Sequence, residues 1–86
     1  MVTEYINKGV CSRKTIVELD SDHLIKNIEI IGGCNGNLKG ITSLLLGMRA
    51  EDAISKMKGI SCGPRSTSCP DQVAHALEDA LKKLDE

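Results

Sequence analysis

Apolar and polar positions alternate along the first third of the chain and then change period. "TEYIN" at 3–7 reads as a short strand, and Gly9 and Cys11 mark a bend after it. "KTIVELD" sets Val17 and Leu19 against Ile16 and Glu18, the two-residue repeat of a half-buried strand. "SDH" at 21–23 supplies a hairpin loop. "LIKNIEII" then places Leu24, Lys26, Ile28 and Ile30 on one side and Ile25, Asn27, Glu29 and Ile31 on the other. One antiparallel sheet with a single covered face is the simplest outcome.

At "GGCNGN", residues 32–37, the strand breaks and the spacing becomes helical. Leu38, Ile41, Leu44 or Leu45, and Met48 recur every three to four residues, and Gly47 ends that helix. "RAEDAISKMKG" forms a short second helix with Ala53, Ile54 and Met57 inward and Gly59 as its stop. A third helix is expected from Pro70, a residue favoured in the first turn, with Val73, Leu77, Ala80, Leu81 and Leu84 as its apolar stripe. Asp71 near its start and Lys82 and Lys83 near its end complement the helix dipole. The predicted fold class is α+β: a three-stranded antiparallel sheet followed by three helices packed on one face. Residues 1–86 are expected to form a single domain.

Composition narrows the function. The core lacks Trp and Phe, and Tyr5 is the sole aromatic residue, so Ile, Leu, Val, Met and Ala must fill it. A chain of this size gains from a metal or a covalent staple. Eleven basic and 12 acidic residues, a net charge of −1, give no electrostatic footprint for nucleic acid or for a membrane surface. Base stacking lacks aromatic platforms as well. No apolar run approaches the roughly 18 residues of a membrane span, and "MVTEYINKGV" has no apolar core of a signal peptide. A cytoplasmic protein is expected. In a reducing compartment, four cysteines point to metal or redox chemistry before structural disulfides.

All four thiols fall at predicted element boundaries: Cys11 before a strand, Cys34 between strand and helix, Cys62 in a loop, Cys69 at a helix start. None lies on an apolar stripe, where a cysteine acting as a small hydrophobe belongs. Loop ends of a sheet–helix layer can converge on one edge, and four thiolates there would hold zinc tetrahedrally. No CxxC pair occurs, so no zinc-finger spacing applies. Thiol–disulfide chemistry and plain burial remain as alternatives. In "TSCPD", Cys69 is expected at the cap position ahead of Pro70, facing the unpaired N–H groups of the first turn, which favour a thiolate. Capping by Thr67 and Ser68, with Cys69 packed inward, is the alternative. Cys34 ahead of its own helix shares the first environment. His75 turns away from the stripe and His23 sits in the hairpin loop, so both read as surface groups. Arg13 and Arg65, each close to a cysteine, could lower thiol pKa values or bind an anion; ordinary solvated charge is the alternative, and it is preferred for Arg65. "GGCNG" lacks the Lys-Ser/Thr of a phosphate loop.

"TSCPD" at 67–71 is the signature of the TSCPD domain, and the whole chain resembles the small stand-alone members with four cysteines. That domain also ends adenosylcobalamin-dependent ribonucleotide reductases. The resemblance implies that Cys11, Cys34, Cys62 and Cys69 are the family's four cysteines. It also implies an accessory or structural metal module, with a ribonucleotide reductase or another protein as partner. Radical reduction of a nucleotide needs a large barrel, so the chain alone is expected to be inactive. An associated protein that binds nucleotide is a further alternative.

More distantly, "GVCSRKTIVELDSDHLIKNIEIIGGCNGNLKGITSLLLGMRAEDA" is similar to the NifU-type iron–sulfur scaffold, and the expected fold is NifU/IscU-like. That likeness implies Cys11, Cys34 and Cys69 as ligands of zinc or of an iron–sulfur cluster on one edge. The scaffold follows its first cysteine with Gly-Asp, whereas Ser12 and Arg13 follow Cys11 here. Its proline-rich segment before the third cysteine is absent, and Cys62 stands nearby instead. Both departures favour a closed four-thiolate zinc site over cluster donation.

Overall fold

The computed structural model describes residues 2–10, 12–32, 35–60 and 67–84. Three strands come first, β1 (Val2–Ile6), β2 (Ser12–Leu19) and β3 (Ile25–Gly32). Three helices follow, α1 (Asn35–Leu45), α2 (Ala50–Met57) and α3 (Cys69–Leu84). The strands lie in the order β1-β2-β3, each pair antiparallel. Helix α3 packs across β1 and β2, α1 lies on β3, and α2 lies on α3. The expected sheet-then-helices arrangement is therefore the one observed.

The covered face of β2 carries Thr15, Val17 and Leu19, all buried. They meet Val73, Ala74, Ala76, Leu77 and Ala80 of α3, with Ile25, Ile28, Leu45, Ala50, Ala53 and Met57 completing the core. Alanines on α3 let the helix approach the sheet closely, which suits a core without Phe or Trp. Leu81 and Leu84 extend that stripe only partly buried. In α1, Leu38 and Leu45 are buried, whereas Leu44 is exposed.

Strict alternation fails at two places, and both are bulges. Glu18 pairs with Asn27, but Leu19 pairs with Ile25, leaving Lys26 as an extra residue in β3. The extra residue returns Ile25 to the same covered side as Ile28, so the expected split between them is corrected. At the other end Ser12 pairs with Gly32 and Lys14 with Ile31, leaving Arg13 over in β2. Without that bulge Arg13 would share the face of Thr15. With it, Ser12 takes the inward place and Arg13 is exposed.

The connector after α1 is tied to the start of β3. Gly47, at φ +85°, reverses the chain after the helix, and its N–H reaches the Ile25 carbonyl at 2.9 Å. Ile25 N–H in turn donates to Met48 (2.8 Å), and Ala50 N–H to His23 (2.8 Å).

Candidate functional site

Helix α3 begins against the β1–β2 turn, and side-chain and backbone groups from β2, that turn, residues 59–60 and the start of α3 meet there. Its start is capped by Ser68. The Ser68 Oγ accepts the Asp71 N–H at 3.2 Å, three residues on, and donates to the Ile60 carbonyl at 2.7 Å. This corrects the expectation that Cys69 holds the cap position. A hydroxyl oxygen is the better acceptor for a first-turn N–H, and Ser is among the preferred cap residues. Cys69 becomes the first helical residue instead, and its sulfur is turned to the sheet. There Cys69 Sγ lies 3.2 Å from Ser12 Oγ.

Asp71 and Gln72 extend the web. The Asp71 carboxylate accepts from Gly59 N–H at 2.6 Å and from the Thr67 hydroxyl at 2.5 Å. The Thr67 bond, with the Gly59 bond second, holds the Asp71 carboxyl below its ordinary range. Thr67 Oγ1 also accepts from Gln72 Nε2 (2.9 Å), whose Oε1 receives the Lys8 N–H (2.9 Å). Beside them Gly9, at φ +71°, makes the turn. The positive φ favours glycine there, and a Cβ would sit 3.2 Å from Thr67 Cγ2, a tight contact that would push the methyl aside by a few tenths of an ångström.

A second line of groups approaches from the sheet. Thr15 Oγ1 donates to Asn7 Oδ1 at 3.0 Å, and Asn7 Nδ2 donates to Ser12 Oγ at 2.8 Å. Asn7, Ser12 and Thr15 are 8 %, 2 % and 0 % exposed. Asn7 N–H also holds the Arg13 carbonyl (2.9 Å), fixing the bulge that aims Ser12 inward.

Of the four predicted ligands, Cys69 lies among the described residues, and Cys11, Cys34 and Cys62 lie outside them. Among the described residues no group of three or more His, Cys, Asp or Glu side chains is arranged to hold a metal. Ser12, Asn7, Thr15 and Gln72 were not predicted. The available signal was the departure after Cys11, where Ser12 takes the place of the scaffold's glycine, but only the bulge at Arg13 makes Ser12 face inward. The histidines divide. His23, at φ +68° in the hairpin loop, meets Glu51 at 2.6 Å, and that bond lowers the Glu51 carboxyl. His75 is half-buried between Asp71 (3.5 Å) and Glu78 (3.2 Å), so the expectation of a purely solvent-facing ring is corrected. The helical turn does carry it off the stripe, and the carboxylates at i−4 and i+3 then hold it.

The model of the TSCPD domain matches residues 1–81. The chain belongs to the TSCPD domain family. No curated protein and no solved structure matches it, so the NifU-type likeness has no structural neighbour behind it. In the described part of this TSCPD domain, no helix is long and apolar enough to cross a membrane.

Proposed function

We propose that this TSCPD domain is a zinc-binding module in which Cys11, Cys34, Cys62 and Cys69 supply four thiolates. Its role is accessory or structural, beside a ribonucleotide reductase or another protein partner, and it is not catalytic alone. One observation carries this: the described chain neighbours of all four cysteines gather at the mouth of α3. Ser12, which follows Cys11, pairs with Gly32, two residues before Cys34, and touches Cys69 itself. Ile60 and Ser68, on either side of the segment containing Cys62, are hydrogen-bonded to each other. Cys11 is one residue from Ser12, Cys34 two from Gly32 and Cys62 two from Ile60, and this closeness in sequence to the gathered neighbours is what supports the reading.

The donor set fits zinc. Sulfur ligands suit this borderline-soft ion, and a closed set of four is the structural rather than the catalytic pattern. Such a metal would supply the cross-link that a small core without Phe or Trp lacks. The same reading favours the cytoplasm, where thiols stay reduced.

Elemental analysis and an absorption spectrum of anaerobically purified protein test the proposal. Colourless protein with stoichiometric zinc is expected, and visible bands with iron and sulfide would replace zinc by a cluster. Binding at structural zinc sites is worth on the order of 10 kcal/mol. A strong chelator, or Cys69→Ser, should therefore lower the melting temperature sharply. A melting curve indifferent to both would exclude structural zinc.

A further inference from the structure

We infer that Thr15, Asn7 and Ser12 form a buried hydrogen-bond relay whose terminal donor, the Ser12 hydroxyl, orients the Cys69 sulfur as a ligand and draws charge from it. This rests on the zinc reading above and adds residues that reading does not contain.

The direction of the relay follows from counting protons. Thr15 Oγ1 gives its proton to Asn7 Oδ1 (3.0 Å), which sets the amide so that Nδ2 points to Ser12. Nδ2 then donates to Ser12 Oγ (2.8 Å), filling one acceptor site of that hydroxyl. The Ser12 proton is left with one acceptor among the described residues, Cys69 Sγ at 3.2 Å. Run the other way, the relay would need a proton on the sulfur. A metal-bound sulfur has none, so in the ligated state only the direction from Thr15 to sulfur satisfies every group.

Burial makes this arrangement exacting. Thr15 is wholly buried and Ser12 nearly so, so water cannot substitute for a missing partner without displacing the packing around them. The bulge at Arg13 costs sheet regularity, and what it accomplishes locally is to turn Ser12 toward the sulfur. Donors to a metal-bound ligand fix its orientation and spread its charge, and their loss commonly costs 10–100-fold in metal affinity.

The test compares full-length parent, Ser12→Ala, Thr15→Val and Thr15→Ser. Zinc affinity is measured by competition with a chromophoric chelator, alongside the absorption spectrum of the cobalt(II)-substituted protein. Ser12→Ala should weaken zinc about 10–100-fold and shift the sulfur-to-cobalt charge-transfer band. Thr15→Val, which keeps the side chain's shape and leaves Ser12 in place, should move both readouts the same way by less, and Thr15→Ser should restore them. If Ser12→Ala does not fold, the two Thr15 variants decide. Unchanged affinity and spectrum in Ser12→Ala and Thr15→Val, with a parent that binds both metals, would overturn the relay and leave the zinc site standing. A parent that takes up neither metal would overturn both.

Discussion

The two ends of the sheet's covered face are built from opposite materials. Toward the hairpin that joins β2 to β3, Val17, Leu19, Ile25 and Ile28 lie under Leu77, Ala53 and Leu45, and stability there comes from removing apolar surface from water. Toward the β1–β2 turn, the same face carries Thr15, Ser12 and Asn7 under Ser68, Cys69 and Gln72. Replacing a satisfied polar pair by apolar groups of the same shape is often neutral, so a buried polar web is a poor device for stability alone. It fixes the positions of particular atoms. The apolar end holds the fold together, and the polar end holds Cys69.

The largest effect that separates the two ends is expected from Leu77→Ala. Leu77 is fully buried between α3 and the sheet, and truncation there should cost about 2–5 kcal/mol in chemical denaturation. Zinc affinity of the folded fraction should barely change. A variant that loses zinc binding without losing stability would erase the distinction between the ends.

Ser68→Ala comes next. It removes the cap of α3 and the tie to the Ile60 carbonyl in one step. About 1–2 kcal/mol is expected for the cap. Because Ser68 also anchors the end of the segment containing Cys62, zinc affinity should fall with it, unlike in Leu77→Ala. Stability lost with affinity intact would show that the cap serves the helix alone.

The apolar end was legible in the sequence because its signals are periodic. Val17 and Leu19 alternate, Val73, Leu77 and Ala80 repeat at helical spacing, and their burial follows from those patterns. Even there Ile25 was set on the wrong side, since a bulge at Lys26 shifts parity by one residue and leaves no periodic trace. The polar end was legible only in Cys69 and its motif. Ser12, Asn7 and Thr15 look like ordinary strand and turn residues. Their shared direction depends on the bulge at Arg13 and on contacts 57 residues apart in the chain. Similarly, "TSCPD" suggests a cap without saying which side chain supplies it. The choice of Ser68 over Cys69 follows from hydroxyl geometry and from the Ile60 carbonyl, eight residues earlier, that the Ser68 hydroxyl reaches.

The most discriminating comparison contains the smallest single effect, that of Thr3, and asks the same substitution of two threonines on one sheet face. Thr15 belongs to the polar end, where its hydroxyl is the first donor of the web. Thr3 sits on β1 opposite Val17, buried, and its hydroxyl has no hydrogen-bond partner among the described residues. A buried hydroxyl without a partner carries a desolvation cost and returns nothing for it. Thr3→Val keeps the β-branched shape that a strand favours and deletes that cost. It should therefore stabilise by about 1 kcal/mol, raising the melting temperature by roughly 4 °C or more in a domain of this size. Thr15→Val has the same change in shape but leaves the Asn7 carbonyl without its donor, and should destabilise by about 1–3 kcal/mol. Melting curves of the two variants beside the parent measure the contrast. Two shifts of the same sign would mean that the polar and apolar ends of this face do not differ in kind.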